Sequence, residues 1–339
     1  MSKVSVVMTT YNGERYLVEQ LESIKNQTRK PDEVLIFDDK SLDSTCKITS
    51  DFIKNNYLVD NWRLYKNKEN LGWKRNFVNA LKQTTGDYVF LSDQDDIWRS
   101  DKIESMTKIM EENDAILLLV GNCDIIYSQD PANKRYPPLY SFRSKSFYLD
   151  RIWNNIGTYA FINNILKEKK SNAGNTIRIA FDTGIFSSQR QGCVMCLKRD
   201  LINDALKYWY DACPHDTVIW FYAAANDGLY LYEKKVIQYR HHSSNAGFED
   251  TLGAGLKAET EKAKILSQLE QINRLMPMLN GVPDEESKRK TCKEIIKYLQ
   301  LRYSFLDSKR IMDGIKVIKM KGNVGKRQVV FDWLLAYMT

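Results

Sequence analysis

The chain has 339 residues, with 50 lysines and arginines against 43 aspartates and glutamates, a net charge of +7, and 43% hydrophobic and 27% charged residues. This composition excludes a disordered chain, a collagen-like fibre and a disulfide scaffold, and the length suits about two domains or one large α/β unit with an appendage. No apolar run approaches the roughly 18 residues of a spanning helix, and Val4 to Met8 is too short for a signal-peptide core, so a cytosolic protein is expected.

The first 125 residues alternate short β-branched runs with segments of helical period, the pattern of a parallel sheet covered by helices. The expected strands are Val4 to Met8, Glu33 to Phe37, Trp62 to Tyr65, Tyr88 to Leu91 and Ile116 to Val120. Tyr16 to Asn26 and Ser44 to Asn55 carry one apolar face each and predict helices between them. From Arg99 to Gln191 the pattern blurs around an aromatic, basic stretch at Tyr136 to Arg151 and a polar break at Ser171 to Asn175, as in a substrate-facing insertion. Regularity returns with a strand at Gly192 to Leu197, a helix after Asp216 and a hairpin-like pair at Leu229 to Tyr232 and Lys235 to Tyr239. Gly247 to Gly255 reads as a linker, and the period of Leu256 to Thr339 is largely helical. The domain reading is 1–250 for the α/β unit, split into a nucleotide-binding half at 1–98 and an acceptor-binding half at 99–250, with a helical region at 251–339.

Ligands of open α/β sheets bind beyond the carboxyl ends of the strands. There the sequence places Thr9-Thr10-Tyr11-Asn12-Gly13, Asp38-Asp39-Lys40-Ser41 and Ser92-Asp93-Gln94-Asp95-Asp96. Carboxylates packed at a strand end raise each other's pKa unless a cation neutralises them, and hard oxygen ligands suit Mg or Mn. A solvated acidic turn capping the following helix is the plainer reading. Asp38 and Asp39 stand where a carboxylate accepts hydrogen bonds from a ribose or a base. The three histidines, His215, His241 and His242, fall in two short segments, Pro214-His215-Asp216 and Tyr239 to Asn245. Among six scattered cysteines only Cys193 and Cys196 form a C-x-x-C, and without a second pair a structural role is expected.

The segments VSVVMTTYNGERYL, EVLIFDDKSLD, NLGWKRNFVNAL and GDYVFLSDQDDIW, in this order and spacing, resemble family 2 glycosyltransferases of the GT-A fold. The resemblance implies a Rossmann-like, mostly parallel central sheet flanked by helices. It implies that Thr9, Tyr11 and Asp39 hold the nucleobase and ribose, with Asp93 by the ribose and Lys74 and Arg75 facing the diphosphate. Asp95 becomes the ligand of a Mn or Mg ion. Asp216 takes the place of the family's catalytic base. His215 departs from the glutamate usual before it and, with Asp96, would touch acceptor or tune the base. Arg240 and His242 match an R-x-H segment near diphosphate or metal, and Gln191-Gly192 a segment lining the donor-sugar pocket.

The implied reaction is inverting transfer of a sugar from a nucleoside diphosphate donor to a glycan or polyprenyl-linked acceptor in bacterial polysaccharide assembly. The spelling LSDQDDIW resembles the rhamnosyltransferase branch, which places dTDP-rhamnose ahead of UDP-sugars as donor. A catalytically inactive nucleotide-sugar-binding or scaffold protein of the same fold is the rival. A nucleic-acid partner is not expected, because the acidic rim repels phosphate. From Ser308 to Arg327 seven basic residues face a single acid, Asp313, ahead of the apolar Val329 to Leu335. That pattern suits either a peripheral helix on the anionic inner face of the cell membrane or a terminal helix packed on the enzyme or on a second copy.

Overall fold

The computed structural model describes residues 2–127, 176–186, 188–242, 258–320 and 332–337. The expected features at 136–151, 171–175 and 247–255, and most of the apolar run before Asp332, lie outside them.

Strand β1 (Val4–Thr10) is buried on both faces, as its unbroken apolar run requires of a central parallel strand. It lies between β2 (Glu33–Asp38) and β4 (Tyr88–Ser92), parallel to both, and β3 (Trp62–Lys66) closes that edge in parallel with β2. Helix α1 (Leu17–Lys25) turns Leu17, Gln20, Leu21 and Ile24 inward, the i, i+3, i+4, i+7 stripe of an amphipathic helix. Helices α2 (Thr45–Asn55) and α3 (Trp73–Leu81) complete the layers around this half. The chain leaves β1 toward one neighbour and later reaches the other, which opens a crevice beyond its carboxyl end.

The second half of the sheet is mixed. The full order is β3-β2-β1-β4-β8-β6-β9-β5, with β7 (Thr176–Arg178) also on β9. Strand β8 (Met195–Lys198) runs antiparallel to β4, with Cys196 opposite Phe90, so the beginning of β8 lies on the rim where β4 ends. Only this part of the expected 192–197 strand is extended; Gly192–Val194 forms a 3-10 turn that delivers the chain to the rim. Strand β9 (Leu229–His241) pairs in parallel with β6 (Leu118–Tyr127) along its whole course. The expected hairpin is therefore one long strand, and the polar Glu233-Lys234-Lys235 break falls at a register shift between Val120 and Cys123. The short β5 (Ile97–Trp98) sets Ile97 opposite Gln238, which brings the end of β9 beside the acidic turn. Helices α4 (Lys102–Glu112), α5 (Arg199–Leu206) and α6 (His215–Ala225) follow.

The C-terminal region is helical where it is described: α7 (Ala258–Leu275), α8 (Glu285–Ser308), α9 (Ile311–Lys319) and a last turn at 332–337. Its apolar residues Ile265, Ile272, Leu275 and Phe305 belong to the same hydrophobic core as the sheet. Lys288 donates to the Ala225 carbonyl at 2.8 Å, tying α8 to the end of α6. Buried Arg302 grips Asp332 with two bonds of 2.7 and 2.8 Å and Glu261 with a third of 2.7 Å. This ion cluster turns Leu335 and Ala336 inward, so the end of the chain packs on α8. No helix among the described residues is long and apolar enough to cross a membrane.

Candidate active site

The turn after β4 is held in shape by its own middle residue. Gln94 accepts from the Tyr11 N–H at 2.9 Å and donates to the Tyr11 carbonyl at 3.0 Å, joining the rims of β1 and β4. A Cβ at Gly13 would stand 2.1 Å from the Gln94 amide oxygen, so glycine is required there. With Gln94 turned aside, Asp93, Asp95 and Asp96 crowd inward. Asp96 is fully buried; one oxygen accepts from the Arg240 N–H at 3.0 Å and the other has no partner. Burial, with the charges of Asp93 and Asp95, raises its pKa well above the usual carboxylate range. Burial and then the Asp95 charge push Asp93 up to about 7.

Asp95 meets His242 at 2.7 Å, the carboxylate oxygen against Nε2. Arg240 donates from Nε to the Asp95 carbonyl at 2.8 Å and from Nη2 to Glu19 at 2.7 Å, and its guanidinium lies 4.6 Å over the Tyr16 ring. The arginine thus fastens the acidic turn to α1 and β9. Asp93, Asp96 and Cys193 bring their donor atoms within 4.8 Å of one another. Burial keeps the Cys193 thiol protonated, so it lies beside the carboxylates as a neutral group rather than a thiolate. Asp93, Asp96 and Cys193 are the set whose donor atoms converge among the described residues; Asp95 and His242, paired with each other, add the carboxylate oxygen and imidazole nitrogen that suit a Mn or Mg ion.

The 3-10 turn joins this rim to the start of α6. A Cβ on Gly192 would lie 3.1 Å from Leu91 Cδ1, 3.3 Å from His215 Nε2 and 3.9 Å from Asp216 Cβ, so the bare glycine backbone lies against both residues. Gln191 opens the turn in extended conformation. Asp216 sits in the first turn of α6, with one carboxylate oxygen buried and without a partner. Burial lifts its pKa to about 6 against the backbone N–H groups that face it, which places its titration near neutrality. His215 packs face to face on Phe77 at 4.3 Å and edge-on to Trp73 at 5.9 Å, and neither ring nitrogen finds a partner. Burial lowers its pKa to about 3, so the ring is neutral.

The remaining expected residues occupy the first half of the rim. Thr9 lies near the end of β1, and the exposed Tyr11 follows its last residue, Thr10. Asp39 is buried and accepts from Asn67 Nδ2 at 2.9 Å and from the Leu71 and Gly72 N–H groups at 2.8 Å each, which shapes the loop beside them. Lys74 and Arg75 do not point at the acidic turn. Lys74 donates to the Ala212 carbonyl at 2.8 Å and Arg75 pairs with Asp211, so α3 holds the approach to Pro214-His215-Asp216.

One residue of this constellation is missing from the motif reading. Lys102 is completely buried beneath the rim, donating to the Cys193 carbonyl at 2.6 Å with its ammonium 3.5 Å from the centre of the Trp98 ring. Its signal is positional: on α4 it shares the inward face with Ile103, Met106 and Met110, where periodicity asks for an apolar side chain.

A parallel half-sheet with an acidic turn and a helix-start carboxylate at its strand ends has the arrangement of an α/β ligand site. The model of the family described as glycosyl transferase family 2 matches residues 5–173, and through that domain the chain belongs to the family. The dTDP-rhamnosyl transferase RfbG of Shigella flexneri is 28% identical over 249 residues, 70% of this chain and 72% of that protein. An uncharacterized glycosyltransferase of Rickettsia felis is 36% identical over 115 residues, 34% of this chain but only 18% of its own length. Among solved structures, Staphylococcus aureus TarS 1-349 in complex with UDP superposes with a TM-score of 0.56 at 16% identity, covering 95% of this chain and 79% of that one. Pyrobaculum calidifontis mannosyltransferase PcManGT, with GDP-Man and Mn2+, follows at 0.51 and 14%, covering 99% of this chain and 85% of that one. These likenesses establish the GT-A type of fold.

Proposed function

We propose that the protein is a metal-dependent, inverting glycosyltransferase that moves rhamnose from dTDP-rhamnose to a glycan or polyprenyl-linked acceptor. The observation that carries the reading is the partly buried Asp216 carboxylate, with one unpartnered oxygen and a pKa near 6, set beside the acidic turn. Above that pH it is ionised and accepts the proton of the attacking acceptor hydroxyl while the sugar–phosphate bond breaks in line on the opposite side. Asp95 and His242, with Asp93 alongside, would hold a Mn or Mg ion, which would supply positive charge to the leaving diphosphate. Thr9, Tyr11 and the loop shaped by Asp39 receive the nucleobase and ribose, Gln191 and Gly192 line the sugar, and His215 and Asp96 adjust the surroundings of the base. Arg240, Lys74 and Arg75 serve the donor through the turns they fasten.

RfbG supports rhamnose as the sugar, with 28% identity across 70% of this chain, and a UDP-sugar is the next donor to try. The basic, partly apolar surface of α9 supports work at the inner face of the membrane, and a second copy is the other partner that surface would accept.

The test is release of dTDP from dTDP-rhamnose. Asp216→Asn is expected to lose about 10²–10⁴-fold in kcat while nucleotide affinity is kept, and Asp95→Ala to lose the manganese-dependent part of nucleotide binding. Strong turnover by Asp216→Asn would remove the base assignment.

A further inference from the structure

A lysine buried without a carboxylate partner is costly, and a methionine or leucine at position 102 would complete the apolar stripe of α4 at less cost. The ammonium instead donates to the carbonyl of the central residue of the Gly192–Val194 turn and rests on the Trp98 face. The turn packs on β4, β6 and β9, with Leu91 against Gly192, and it also meets residues of the candidate site. The Cys193 thiol faces Asp93 and Asp96, and the Gly192 backbone lies against His215 and Asp216. The turn has no side-chain cap of its own, and Lys102 is the side chain that bonds its central carbonyl.

We propose that Lys102 is a positioning residue for transfer: by holding the Cys193 carbonyl from beneath, it fixes the turn that aligns Asp216 with the acidic rim. Neither substrate nor reacting atoms touch it. Burial lowers its pKa to about 7, against the pull of Cys193 and Asp96, and in either protonation state its nitrogen donates to the Cys193 carbonyl. The inference rests on the transferase reading given above, and wild-type turnover separates the two: no turnover by the wild type removes that reading, whereas turnover that ignores position 102 removes only this one.

Lys102→Met keeps the stem and deletes the donor. Lys102→Gln, shorter by one atom, keeps a donor and covers the case in which the methionine variant does not fold. Both are measured for kcat, for the Kd of dTDP with manganese, and for Tm. Positioning predicts that Lys102→Met loses about tenfold or more in kcat and Lys102→Gln about threefold to tenfold, with Kd unchanged and Tm at or above wild type, since an apolar or neutral group replaces a buried charge. Either variant turning over within about twofold of wild type, or losing Kd and Tm in step with kcat, overturns the proposal.

Discussion

Asp216 and His215 adjoin in sequence, and burial pushes their pKa values in opposite directions. Desolvation disfavours charge whatever its sign, so the acid is held near 6 and the imidazole near 3. The acid limb of kcat/KM is therefore expected near pH 6, falling about tenfold per unit below it, and a limb near the ordinary 3.8 would contradict the assignment. The same shift acts on stability. The folded carboxyl binds its proton more tightly than the unfolded one, so its contribution is complete below about pH 4 and is lost as pH rises through about 6. Asp216→Asn should therefore raise Tm at pH 7.5 by about 2–4 °C, as a thermal melt would show. The sequence made Asp216 visible through its motif. It did not show that Asp39 spends both oxygens on the loop at 67–72, nor that Lys102 lies under the turn, because partners 30 to 90 residues distant are a product of folding.

Among the elements, the rim depends on three turns and on the antiparallel strand that returns to them. Period and strand-end chemistry pointed to β1 to β4 with α1 and α2, because each is a local run of apolar residues closed by polar ones. They misread β9, whose Glu233-Lys234-Lys235 is exposed at a register shift and looks in one dimension like the tip of a hairpin. The 3-10 turn at Gly192–Val194 was likewise read as strand, since Cys193 and Val194 are buried as strand residues would be. Gly192→Ala tests the role of that turn. Its Cβ would press on Leu91 and on the His215 ring, which Phe77 prevents from retreating. The expected result is a loss of about tenfold or more in kcat at a stability cost of about 1–3 kcal/mol. An alanine variant with wild-type kinetics would show that close approach at this turn is unimportant to transfer.

At the scale of the molecule, the C-terminal helices share the core of the sheet, and the Arg302–Asp332–Glu261 cluster turns the end of the chain inward. The sequence left a packed helix and a membrane helix equally open for this region, because an amphipathic stripe does not say what covers it. The structure divides the answer: Leu335 is buried, while Ile311 and Met312 on α9 are 60% and 65% exposed beside Lys309, Arg310 and Lys319. An apolar edge among basic residues predicts sedimentation with anionic vesicles, weakened by salt and reduced by Ile311→Glu with Met312→Glu. Equal sedimentation with zwitterionic vesicles would argue against an anionic surface as partner.

The acidic rim and the ends of β1 and β2 are proposed to form one metal-assisted nucleotide site. Its most direct test is thermal unfolding with dTDP, UDP and GDP, each with and without manganese, because a ligand bound only by the folded state raises Tm by mass action. The expected result is a shift with dTDP that requires manganese, is smaller with the other nucleotides, and disappears in Asp95→Ala. No shift with any nucleotide, or a shift indifferent to both manganese and Asp95, would contradict it.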